Sequence, residues 1–112
     1  MTATISGGTN SSGFYSGVVR TANAIPLKKY SVLKFTGKGN ASGGYVRLLV
    51  LSTDCDKFQN ATKTVVIPAT SSSSTYTIDV SDLTESYYIA VMTAADTGKS
   101  SVTCTINSIL LT

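Results

Sequence analysis

The feature that most constrains this chain is the regular return of short β-forming runs, with no helical periodicity between them. Residues 14–21, 30–36, 45–52, 62–67, 75–80, 87–93 and 101–111 are each rich in β-branched or aromatic residues. Each run is bounded by Gly, Pro, Asn, Asp or Ser, which supply turn geometry, so the runs read as strands. A further short edge strand is expected at 3–6, inside a flexible Ser-, Thr- and Gly-rich lead of residues 1–13. Seven to eight strands at this spacing predict an all-β fold, an antiparallel β-sandwich formed by residues 14–112. At 112 residues the chain can bury one two-layer core and no second one. Jelly-roll and immunoglobulin-like sandwiches share these local signals, so strand order stays open at this point.

Composition agrees with the strands. The chain holds 16 Ser, 17 Thr and 9 Gly, residues that favour strands and tight connections and supply few good helix formers. Charged residues make up only 13%, about half the usual share. The net charge of +3 is dispersed; nucleic acid normally demands a clustered basic stripe, so no nucleic-acid partner is expected. No apolar run approaches the ~20 residues needed to span a bilayer, so no membrane insertion is expected. The polar lead lacks the basic and apolar regions of a signal peptide, which predicts a chain without its own export signal.

Within the runs, the period of two assigns faces. Leu33 and Phe35 share one side of their strand, opposite Val32, Lys34 and Thr36, and are expected in the core. Val46, Leu48 and Val50 oppose Tyr45, Arg47, Leu49 and Leu51, so this strand is apolar on both faces and calls for a central position with its second side covered. The Gly-rich stretch 37–44 and the serine run 71–74 read as exposed loops. Cys104 alternates with Val102 and Ile106 and is expected to face the core, whereas Cys55 lies between Asp54 and Asp56 in loop-like sequence. The two cysteines allow one disulfide or none.

Catalysis finds little support. The chain has no His, and its carboxylates show no paired, apolar-flanked arrangement of the kind acid–base chemistry needs; the expectation is a protein that is not an enzyme, with no catalytic residues. Gly98-Lys99-Ser100 resembles the end of a phosphate-binding loop, but Thr93 stands where that pattern needs Gly, and a strand follows in place of a helix. No cofactor and no metal are expected. Asp54, Asp56 and Asp96 are weak candidates for a structural calcium, which takes 6 to 8 oxygens. Triplets matching glycosylation sequons occur at Asn10, Asn40 and Asn60, yet with 33 hydroxyl residues among 112 such matches arise readily by chance.

Six Tyr and no Trp are the more informative feature. Most of these rings are expected to pack on the core with the hydroxyl reaching water. One or two exposed rings would instead offer a platform on which the C–H face of a sugar stacks, with polar neighbours binding its hydroxyls. Tyr45 with Arg47 is the best candidate pair; Tyr15 with Arg20, and Tyr30 with Lys34, are weaker.

The stretch TYTIDVSDLTESYYIAVMTA from Thr75, followed by SVTCTINSILLT at the end, resembles the second half of jelly-roll carbohydrate-binding modules and galactose-binding-like domains. YSVLKFTGKGNASGGYVRLLVLS resembles their paired central strands. Similar domains occur in bacteriophage tail, fibre and decoration proteins. The resemblance covers most of 14–112 and is one of pattern. It implies a non-catalytic module that recognises a glycan on a cell surface, as part of a phage or bacterial surface structure, with a virion or extracellular location. This chain departs from the sugar-binding members in having no Trp. The alternative is a purely structural virion domain in which the apolar face around Leu49 and Leu51 is covered by identical subunits, as in a homotrimer.

Overall fold

The computed structural model describes residues 3–8, 15–41, 44–55, 60–68, 72–95 and 101–112. Its strands are β1 (Ala3–Gly8), β2 (Tyr15–Arg20), β3 (Ile25–Pro26), β4 (Val32–Ala41), β5 (Gly44–Ser52), β6 (Lys63–Ile67), β7 (Ser74–Asp79), β8 (Ser86–Ala95) and β9 (Ser101–Leu111). They form two antiparallel sheets, ordered β1-β9-β4-β7 (sheet A) and β2-β8-β5-β6 (sheet B), with β3 also pairing β8.

The order settles the topology. Setting aside the two-residue β3, the strands pair from the outside of the chain inward: β1 with β9, β2 with β8, β4 with β7, β5 with β6. Successive pairs alternate between sheets A and B. This is one long antiparallel hairpin rolled up on itself, a jelly roll of eight strands. The shortest dimension of the molecule is 20 Å, which suits two sheets about 10 Å apart with side chains on their outer faces.

The core between the sheets follows the alternation in the sequence. Leu33 and Phe35 of β4, Val46, Leu48 and Val50 of β5, Ile89 and Val91 of β8, and Cys104 and Ile106 of β9 are buried in one cluster with Leu27, Ile67, Ile78, Val80 and Leu83. These are the inward positions of strands whose other face looks outward, and burying such side chains is worth about 1.5–3 kcal/mol each relative to exposure.

β4 does not stop at Thr36. The stretch 37–44, expected as a loop, is strand as far as Ala41, with β5 starting at Gly44. Gly37 and Gly39 are there because other backbone comes too close for a side chain. A Cβ on Gly37 would overlap the Thr105 carbonyl oxygen and lie 2.8 Å from the tip of the Phe35 ring, and one on Gly39 would lie 2.9 Å from the Ile67 carbonyl oxygen. At the same place the register of β4 with β9 slips, Thr36 pairing Ser108 and Gly37 pairing Ile106, so Asn107 is an extra residue in β9. The bulge resets the alternation of β9: Cys104 and Ile106 face the core before it, and Leu111 packs against the core after it.

The edge of sheet B beside β8 is a broken strand. β2 pairs β8 as far as Arg20, and β3 resumes at Ile25 opposite Tyr87. In the gap the Thr21 amide donates to the Ile89 carbonyl at 3.0 Å, and the Ile89 amide donates to Thr21 Oγ1 at 3.2 Å. Such interruption blunts an edge against pairing with another chain. Across the sandwich, Lys63 of β6 reaches the end of β7 and the turn after it, donating to the Asp79 carbonyl and to the Asp82 carboxylate, both at 2.7 Å.

Candidate functional site

The outer face of sheet B is where the register gathers most of the sequence-predicted site residues. β5 and β8 pair without a slip from Gly44–Ala95 to Ser52–Tyr87, which puts Tyr45, Arg47, Leu49 and Leu51 opposite Ala94, Met92, Ala90 and Tyr88. Directly paired residues share a face, and that face is the one opposite the buried Val46, Leu48 and Val50. On the far side of β8, β2 contributes Arg20 opposite Ala90, Val18 opposite Met92, and Tyr15 opposite Ala94.

Tyr15 and Arg20 are five residues apart, and in an unbroken strand they would sit on opposite faces. Their register partners, Ala94 and Ala90, nevertheless share one face of β8, because the register slips between Tyr15 and Gly17 and makes Ser16 an extra residue. Tyr15 and Tyr45 are therefore register partners of the same residue, Ala94, from its two sides, which sets their Cα positions about 10 Å apart across three strands. Ala is the small residue of that row. The neighbouring row reads Val18, Met92, Arg47, Val66; Met92 is buried and Arg47 half-buried, while Val18 and Val66 at the ends are 37% and 49% exposed.

The other end of this face is closed. Leu49 and Leu51 are only 1% and 4% exposed, buried with Ala90 and Met92, and Cys55, Ala61 and Tyr88 pack against them. The apolar second side of β5 is thus covered from within the chain, by residues on either side of the β5–β6 connection. The exposed Arg20 lies over the Tyr88 ring, its guanidinium carbon 3.9 Å from the ring centroid, a cation–π contact.

Charge on this face has one sign. Among the described residues, the charged side chains at its strand positions are Arg20 and Arg47, and no carboxylate occupies one. The nearest described carboxylate along β5, Asp54, lies beyond the strand end, where it accepts a hydrogen bond from Ser52 Oγ at 2.8 Å.

The third predicted pair is not brought together. Tyr30 precedes β4 in a turn, its amide donating to the Leu27 carbonyl at 3.0 Å, and its half-buried ring packs against the core. Lys34 is exposed on the outer face of sheet A, between Thr77 and Leu110 in register. Of the calcium candidates, Asp56 and Asp96 lie outside the described residues. Among the described residues no group of three or more potential ligands is close enough to hold a metal ion. No disulfide joins the two cysteines: Cys104 sits between the sheets while Cys55 packs on the outer face of sheet B, so sheet B separates them.

Two contributors to the site were missed from sequence, Tyr88 and Ala94. Alternation within 87–93 sets Tyr88 with Ala90 and Met92 on one face, and that signal was available; nothing local indicates that this face meets Tyr45 and Tyr15.

No protein-family model matches the sequence, and no curated protein matches it significantly. Among solved structures, the chain is similar to part of a glycoside hydrolase domain, Endo-D from Streptococcus pneumoniae R6, with a TM-score of 0.69 and 16% identity over 97% of this chain. The chain spans 17% of that protein's length, and at this identity the likeness is one of fold. A second similar structure is described as Bacillus endospore appendages forming disulfide-linked pili, with 15% identity, 95% of this chain and 82% of that one covered, and a TM-score of 0.38.

Proposed function

We propose that the chain is a non-catalytic binding domain that recognises a glycan through the outer face of sheet B, on a phage or bacterial surface structure. The observation that carries this reading is the convergence of Tyr15 and Tyr45 on Ala94, beside Arg47. Two tyrosine positions about 10 Å apart with a small residue between them suit the spacing of sugar rings along an oligosaccharide. The proposal draws support from independent directions: Tyr45 with Arg47 and Tyr15 with Arg20 stand out in sequence as separate candidate pairs, and all four pair in register with residues of one face of β8. Occurrence of the same fold within a glycoside hydrolase chain is in keeping with an accessory saccharide-binding role.

The test is a glycan array probed with the whole chain, followed by Tyr45→Ala and Arg47→Ala on any hit. Selective binding that each variant weakens at least about tenfold, with the fold retained by circular dichroism, supports the reading. An array that stays blank with a multivalent form of the chain, or binding indifferent to both variants, overturns it.

A further inference from the structure

Resting on that reading, we infer that the glycan is anionic, its carboxylate or sulfate groups read by Arg20. Sites that hold neutral sugars need acceptors for hydroxyl protons, and ionised carboxylates are the strongest ones available. This face has none at its described strand positions; its charged positions are both arginines. A guanidinium presents a planar fork of donors and no acceptor, matched to a carboxylate or sulfate and not to an alcohol.

Arg20 is placed for the task. It is exposed, on the edge strand β2, and its guanidinium is held over the ring of Tyr88, which packs against the cluster of Leu49, Leu51, Ala90 and Met92. Stacking on a packed ring lowers the side-chain entropy left to lose when the fork engages an anion. The Tyr15–Ala94–Tyr45 row lies four strand positions from the Ala90 row that carries Arg20, about 13 Å along β8. One oligosaccharide of a few residues spans that distance, stacking at one end and pairing its charge at the other.

The experiment is calorimetric titration of the whole chain with four probes: an oligogalacturonate, a heparin-derived sulfated oligosaccharide, cellohexaose and a single-stranded oligonucleotide, each at low and high salt. The expected result is binding of one or both anionic oligosaccharides at least about tenfold tighter than cellohexaose, weakened by salt. Which one binds identifies carboxylate or sulfate. Arg20→Gln should cost that binding about tenfold, Arg20→Lys less, and neither should alter the circular dichroism spectrum. Cellohexaose binding as tightly as the anions, or Arg20→Gln without effect, overturns the anionic specificity while leaving a glycan site standing. If neither the four probes nor the array binds, both readings fail. Oligonucleotide binding as tight as that of the oligosaccharides overturns this inference in favour of a general polyanion surface.

Discussion

The guanidinium carbon of Arg20 lies 3.9 Å from the centroid of the Tyr88 ring. The contact ties the edge strand β2 to β8, and it sits on the rim of the small cluster of Leu49, Leu51, Ala90 and Met92. Cation–π pairs at exposed sites contribute about 0.5–1 kcal/mol. A double-mutant cycle with Arg20→Gln and Tyr88→Leu, read by urea denaturation, should return a coupling energy in that range. Additive single effects would show that the stacking is geometric only.

The reach of sequence reasoning can be seen residue by residue. Core faces were legible wherever a strand has one wet and one dry side: Leu33 and Phe35, then Val46, Leu48 and Val50, and Cys104 are buried as their alternation implies. Alternation fails at bulges. Asn107 resets β9, and the spacing Ile106, Ile109, Leu111 is the trace that the slip leaves in the sequence. The extra Ser16 in β2 leaves no such trace, so alternation alone gives no support to the pair Tyr15 and Arg20 until pairing is known. Glycines in 37–44 look like loop residues, whereas Gly37 and Gly39 mark close approach of strands distant in the chain. Strand order, and with it the meeting of Tyr15 and Tyr45 at Ala94, depends on those long-range pairings.

Gly37 is the position where that close approach is least forgiving. An added Cβ meets the Thr105 carbonyl, which is backbone in a hydrogen-bonded strand, and the Phe35 ring, which is wholly buried. Neither can move cheaply. Gly37→Ala should destabilise the domain by about 1–3 kcal/mol, and Gly39→Ala, whose nearest contact is 2.9 Å from the Ile67 carbonyl, by less. Chemical denaturation of the two variants decides the order; equal or negligible losses would place the β4–β9 bulge elsewhere.

Acid should weaken the fold partly through the clasp between β6 and the turn after β7. The Ser81 hydroxyl and amide donate to Asp79, at 2.6 and 2.9 Å, and hold its carboxyl below the usual 3.8. The Lys63 ammonium does the same for Asp82. A carboxylate with a lowered folded-state pKa stabilises above its unfolded value, and that stability is lost as pH falls through the folded one. The loss should therefore begin near pH 3.8 and continue below it. Because both groups are exposed, it should be modest and reduced by salt. Asp82→Asn should flatten the profile in this window; an unchanged profile would mean that Lys63 holds Asp82 equally well in the unfolded chain.

The two thiols should separate by reactivity. Burial between the sheets pushes the Cys104 pKa up to about 11, and the thiolate is the reactive form, so alkylation of Cys104 should wait on opening of the sandwich. Cys55 is half-buried on the outer face of sheet B and should react first. Mass spectrometry after iodoacetamide treatment at mildly alkaline pH should find one adduct on the native chain, at Cys55, and two in denaturant. Two adducts forming at equal rates on the native chain would contradict the burial of Cys104.

Self-association through the apolar second side of β5 is the remaining alternative, and the packing argues against it. A patch that recruits a second copy must be exposed and contiguous, yet Leu49, Leu51, Ala90 and Met92 are sealed by Cys55, Ala61 and Tyr88 of the same chain. Among the described residues, the large apolar side chains left exposed are dispersed: Val18 and Val19 on β2, Val66 on β6 at the opposite edge of sheet B, and Ile109 and Leu110 on sheet A. Light scattering should accordingly return the mass of one chain, 11.7 kDa. A mass three times that would show that subunits associate through some face other than the Leu49–Leu51 cluster. Tyr45→Ala would then separate the two roles, since loss of the trimer together with glycan binding would place the tyrosine face at the subunit interface.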